Sequence, residues 1–236
     1  MVFEKVVEHI DLETKECPIC HSTVKAKAPK DMPGPLQYGN GIKAYIINLL
    51  VCHMVALKRT QNLVKSMIGC IIAEATMLKF ILRLDQTLAD WEAHAMTELL
   101  KTKAINVDET SLRVDKKNHW IHTYSSGDIT LKFLHRKRGK IAKSDAHNLW
   151  ERLKEHESAV LLFAKDPYVS FTNNRAERDL RMAKVKQKIS GCFRAEIYAK
   201  AYCRISSYLQ TMANKGINPL IAIQMALSGK ITEHSQ

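Results

Sequence analysis

Two carboxylates and two thiols have the most chemistry to offer in this chain. Asp108 closes the short apolar alternation Ile105, Val107, and Glu177 falls in the first turn of a helix opened by Asn174. One acid from a strand and one from a distant helix suit a pair of Mg²⁺ ions, hard cations that take oxygen ligands. Such ions can stabilise the attacking and leaving oxygens of a phosphoryl transfer. Each acid also has a plainer reading. Asn174-x-x-Glu177 has the form of a capping box, with Glu177 favoured by the helix dipole, and Asp108 can be an ordinary strand-end turn residue. On spacing alone the plainer readings lead. Cys17 and Cys20 make half of a zinc site, which needs four ligands, and no second Cys-x-x-Cys follows. His9 and His21 bring the count to four without any spacing that demands them. Cys-x-x-Cys-His also matches a haem attachment site, which would require export. Bound zinc and two unliganded thiols stand level.

The basic residues are unevenly placed. Between Arg175 and Arg204 lie nine Lys or Arg against three acids, and Arg178, Arg181, Lys184 and Lys188 recur three or four apart, on one helix face with Arg175 just before them. A second group, Lys132, Arg136, Lys137, Arg138, Lys140 and Lys143, contains no acid. Either group can be a solvated surface. Two of them in a chain of net charge +12 favour a polyanion, and nucleic acid is the first expectation.

The elements that must hold these residues can be read in outline. With 236 residues, 46% of them hydrophobic, the chain can bury a sizeable core and is not disordered as a whole. Residues 1–40 combine an amphipathic opening, the cysteine pair and a Lys/Pro-rich connector. Residues 41–103 read as helical: a stripe of Leu63, Val64, Met67 and Ile68, a break at Gly69, then a stripe of Met77, Ile81, Leu84, Leu88 and Trp91. This helix, turn, helix could offer its second helix to a DNA major groove, or serve only as core. From Ala104 the period changes to two, predicting three short strands with a turn at Ser125-Ser126-Gly127-Asp128. Ser144 to Lys165 reads as helix, and a last helical block opens at Asn173-Asn174, breaks near Gly191 and runs to Asn214 before a short terminal helix. The longest apolar stretch, Ala44 to Leu57, is too short and too polar to span a bilayer. The opening MVFEKVVEHI has no cleavable apolar core, so a cytoplasmic protein is expected.

A resemblance sharpens this picture. Tyr38-Gly39, Ile42-Lys43-Ala44, Arg59-Thr60, Val107-Asp108-Glu109-Thr110, His119-Trp120-Ile121-His122 and Arg136-Lys137-Arg138-Gly139 resemble the bacterial transposases of the insertion sequence 66 family. Most specific is Phe171-Thr172-Asn173-Asn174-Arg175-Ala176-Glu177-Arg178-Asp179-Leu180-Arg181, continuing through Lys186-Gln187-Lys188 to Ser190-Gly191-Cys192-Phe193. The resemblance implies a DDE-type transposase with an RNase H-like core, dependent on Mg²⁺, that cuts and joins DNA at element ends. It assigns the first catalytic Asp to Asp108 and the final Glu to Glu177, and makes Cys17 and Cys20 the second half of a two-pair zinc module that ordinarily starts further upstream.

The chain departs from the family pattern in two ways. Family members are longer, with an upstream first cysteine pair, and their second catalytic Asp lies between the strands and the final helices. Here Arg138-Gly139-Lys140 runs almost directly into Asp145-Ala146-His147-Asn148-Leu149, the sequence expected beyond that segment. Only about 40 residues separate Phe133 from Glu177, and a further parallel strand needs a crossover of a dozen or more. Asp145 sits at a helix start, where capping explains it. The expectation is therefore an α+β, mainly helical fold with an incomplete RNase H-like core over 104–236. Its partners would be DNA, a second copy or a full-length transposase, and its catalysis would be defective. The alternative is a non-catalytic DNA-binding or interaction protein that interferes with a full-length relative. A third outcome is that uncovered apolar strand edges leave no stable fold.

Overall fold

The computed structural model describes residues 6–28, 37–136, 166 and 174–231. The helix expected over Ser144 to Lys165 lies outside them, as do Lys137, Arg138, Lys140, Lys143 and Asp145.

Near the start, β1 (Thr14–Glu16) and β2 (Thr23–Lys25) form an exposed antiparallel hairpin around the cysteine pair. Helix α1 (Asn40–Ile47) runs into a wide π turn over Asn48–Cys52. Helix α2 (Leu57–Ile68) ends at Gly69, whose φ of 69° supplies the left-handed cap that a side chain would strain. Helix α3 (Glu74–Thr87) follows, so the expected helix, turn, helix is present. The second stripe does not run straight through Trp91, however. Leu88 leaves helical geometry, with ψ near 1°, and α4 (Ala89–Leu100) starts after it.

The three strands are longer than expected and form one antiparallel meander: β3 (Asn106–Val114), β4 (Lys117–Ser126) and β5 (Ile129–His135). Val114 pairs with Lys117, leaving a two-residue turn in which both Asp115 and Lys116 have positive φ, the conformation whose twist matches a hairpin. The second turn narrows to Gly127-Asp128, because Ser125 and Ser126 belong to β4. Three helices complete the described elements: α5 (Asn174–Ser190), α6 (Glu196–Asn214) and α7 (Pro219–Leu227), the last capped by the Asn218 side chain.

Strand alternation sorts the sheet into two covered faces. Leu112, Val114, Ile121 and Leu134 face α5 and α6 and join a core with Ile46, Ile47, Leu84, Ile205 and Tyr208. On the opposite face Tyr124, Leu131 and Phe133 pack against Ala95 and Leu99 of α4. The helices of 41–103 therefore share one core with α6 and α7. Arg204 of α6 ties the layers together, its Nη1 donating to Asp85 Oδ1 (2.8 Å) on α3 and its Nε to Glu92 Oε2 (2.9 Å) on α4.

The outer margin of β5 is bonded by side chains. Thr130 N–H donates to Thr211 Oγ1 (3.1 Å), which donates back to Thr130 O (3.2 Å), and Lys132 N–H donates to Ser207 Oγ (2.8 Å). Ser207 and Thr211 lie one turn apart on α6. Three backbone groups of this strand edge are thus satisfied by a helix rather than by another strand. At the other margin Phe193 N–H donates to Arg113 O and Asp115 N–H to Phe193 O, a parallel bridge at the end of β3.

Candidate functional site

Asp108 is not a turn residue; it is the third residue of β3, half-buried, with its Oδ1 accepting the Glu109 N–H at 2.8 Å. The register puts Asp108, Thr123 and Lys132 on one rung across the sheet, with Asn106, Ser125 and Thr130 on a rung two residues away along β3. Both rungs point to the face that α5 and α6 cover.

Helix α5 packs on β3 and β4 through Ala176, Asp179, Leu180 and Ala183, all buried. Its far end lies by Leu112, where Gln187, Gly191 and Phe193 gather, so its first turns lie toward the rungs that carry Asp108 and Asn106. The acid it delivers to the sheet is Asp179, whose Oδ2 accepts from Thr130 Oγ1 at 3.0 Å. Lys132 is 3% exposed beside it. Burial pulls the Lys132 ammonium below its ordinary pKa, and the negative charge of Asp179 opposes that pull. Glu177, two residues earlier and so about 200° around the helix, is exposed. The described residues therefore bring Asp179, Thr130 and Lys132 together, while Glu177 and Asp108 form no such contact. No cluster of three or more His, Cys, Asp or Glu suited to a metal exists among the described residues.

The cation row is where its spacing puts it. Arg178, Arg181, Lys184 and Lys188 are all exposed along the outward arc of α5, and none has an ion pair among the described residues. Arg175 differs: it is half-buried, on the same flank as Asp179, with a buried Nη2 that has no hydrogen-bond partner. Thr123 Oγ1 and Ser125 Oγ under the same helix are likewise without one. Of the second basic group Lys132 is interior, and Arg136 is exposed and donates to Glu196 Oε2 at 2.8 Å. Sequence reasoning missed Asp179, although its spacing from Ala176 and Ala183 shows which side of the helix it shares.

Cys17 and Cys20 sit in a tight turn closed by Cys17 N–H to Ser22 O and His21 N–H to Cys17 O, both 2.9 Å. Hydrogen bonds from Ser22, and then from Cys17, lower the Cys20 thiol to about 7. His21 Nδ1 lies 2.8 Å from Glu16 Oε1. Among the described residues no four-ligand site closes around the two thiols.

Comparison with known proteins gives one match. A family model described as Transposase IS66 family matches residues 35–142 and 130–201, two segments that overlap at 130–142. No curated protein and no solved structure matches the chain.

Proposed function

We propose a function from one premise: the chain belongs to the IS66 family of transposases. That family implies DNA transposition, an RNase H-like core and Mg²⁺ chemistry. Our reading is that this chain binds DNA at insertion-sequence ends through the outer arc of α5 and does not carry strand transfer on Asp108 and Glu177. In this reading residues 1–40 are a half zinc module and linker, 41–103 a helix-turn-helix-like region, and 104–236 a shortened core.

One observation supports the binding half most directly: four cations stand in a row on an exposed helix face, outnumbering the one acid on that arc, Glu177, and none of the four has an ion pair among the described residues. Phosphates of duplex DNA are spaced closely enough for such a row to meet several, each contact releasing condensed counterions. The first turn of α5 packs next to the sheet, so DNA on its outer arc would pass beside the Asp108 rung.

The donor set speaks for the silent half. A pair of Mg²⁺ ions needs oxygen ligands from several directions, near-octahedral around each ion. Among the described residues Asp108 offers one carboxylate, already accepting from a backbone N–H, and Glu177 stands on the exposed side of α5. These residues do not fit the ion pair, and no catalytic step through it follows from them. The family match falls into two overlapping pieces, which agrees with a segment missing near 139–144. A chain that occupies ends without cutting them would compete with a full-length relative.

The test is a labelled insertion-sequence end incubated with Mg²⁺ and the parent or the Asp108→Asn variant. The expected result is retention of the end in a protein complex with no cleaved or joined product. Product that Asp108→Asn abolishes would overturn the silent reading. Binding should weaken in Arg178→Ala/Arg181→Ala, with a shallower dependence on salt; an unchanged slope would remove α5 as the contact face.

A further inference from the structure

The helical region before the sheet carries a second concentration of positive charge that α5 does not account for. The buried side of α3 is set by Met77, Phe80, Ile81 and Leu84. Its exposed side consists of Ala75, Lys79, Arg83, Gln86 and Thr87. The first four fall within about 80° of arc at 100° per residue, and Lys79 and Arg83 stand about 6 Å apart along the axis. This stripe holds no acid.

Helix α1 packs on α3 and brings a third cation to the same place. Lys43, in the first turn of α1, is half-buried, and its ammonium is held down first by that burial and then by repulsion from Arg83. Like charges this close disfavour each other, and three acids of α3 and α4 are engaged elsewhere, leaving Asp90 at the start of α4 as the exposed acid next in sequence to the stripe. Asp85 and Glu92 are held by Arg204, and Glu74 lies 3.9 Å from Lys58. None of Lys43, Lys79 and Arg83 has an ion pair among the described residues. The amino end of α1, with Gly39 and Gly41 open to solvent and no acid in the first turn, adds the positive pole of a helix beside them.

We infer that the exposed stripe of α3, with Lys43 of α1, is a second duplex-DNA contact surface, separate from α5, in which Lys43, Lys79 and Arg83 meet phosphates. The arrangement fits a polyanion rather than a single ion, because the charges form a row on an exposed helix face. Small Ala75 lets that face come close, and Gln86 continues the row with a side chain that can reach phosphate or base edge. The inference rests on the same partner as the proposal for α5 and on none of the same residues.

The experiment measures the affinity of the full chain for a fluorescein-labelled duplex over a range of KCl concentrations, by anisotropy. Four proteins are compared: the parent, Lys79→Gln/Arg83→Gln, Arg178→Ala/Arg181→Ala and the quadruple variant. Each lost phosphate contact should reduce the slope of log affinity against log salt by about 0.9. Lys79→Gln/Arg83→Gln should therefore flatten it by about 2, and the quadruple variant by the sum of the two doubles, since the sites share no partner. Lys79→Gln and Arg83→Gln alone should each remove about one unit, and both side chains are exposed enough for the fold to persist. A parental slope in Lys79→Gln/Arg83→Gln, with a flattened one in Arg178→Ala/Arg181→Ala, overturns the second surface and leaves α5 standing. A parent that binds no duplex overturns both.

Discussion

At the scale of single residues, α5 distinguishes two acids that the sequence presents as near equals. Asp179 is interior, bonded to Thr130 and charged opposite Lys132; Glu177 is on the surface. Removing a carboxylate that bonds a buried hydroxyl, beside a buried ammonium, costs about 2 kcal/mol. Exposed positions away from such features usually change stability by less than about 0.5 kcal/mol. Asp179→Ala should accordingly lower the urea midpoint clearly, while Glu177→Ala leaves it near the parental value; equal midpoints would refute the division. The outward row Arg178, Arg181, Lys184 and Lys188 was legible because a three-to-four spacing defines a helix face whatever packs behind it. The inward role of Asp179 was not. An acid in a basic helix reads as solvated until the Thr130 hydroxyl and the Lys132 ammonium are seen behind it.

At the scale of elements, turns were easier to read than breaks within helices. Gly69 and Gly127-Asp128 announce themselves because positive φ selects glycine. The π turn at Asn48–Cys52 and the interruption at Leu88 carry no Gly or Pro and follow from how the flanking helices pack. In β4 the alternation does not say which face is buried. His119, Ile121, Thr123 and Ser125 are more buried than Trp120, His122 and Tyr124, because α5 and α6 cover that face more fully than α4 covers the other. The hydroxyl bonding of β5 by α6 could not be read from sequence either, since Ser207 and Thr211 look like ordinary helix residues. Ser207→Ala/Thr211→Val removes the partners of three buried backbone groups, at about 1–3 kcal/mol for each group left unsatisfied. The double variant should unfold at markedly lower urea than the parent. A midpoint within error of the parent would show that water or a shifted helix replaces those bonds.

At the scale of the whole molecule, the shared core makes acid–base behaviour a property of global unfolding. Burial pushes the Cys52 thiol up to about 11 and the Cys203 thiol to about 12, from an ordinary value of 9.0. The native state then keeps protons that the unfolded chain releases. The stability this represents is fully present below pH 9 and declines as pH rises through about 11. Lys132 acts in the opposite sense, because its lowered pKa makes the unfolded chain the stronger proton binder below pH 10.5. A comparison with Cys52→Ala isolates the thiol. Between pH 9 and 11 the parent should lose stability more steeply than the variant, by up to about 1.4 kcal/mol per pH unit. Parallel curves from urea titrations would show that Cys52 does not titrate with unfolding. The side chains from α6 along β5 matter at this scale as well. Along Thr130 to Lys132 three outward backbone groups, the Thr130 amide and carbonyl and the Lys132 amide, are already taken by α6 hydroxyls, which leaves little for a neighbouring molecule to zip onto as an added strand. Any dimer this protein forms must be built on other terrain, and loss of two small hydroxyls would turn a closed flank into an adhesive one.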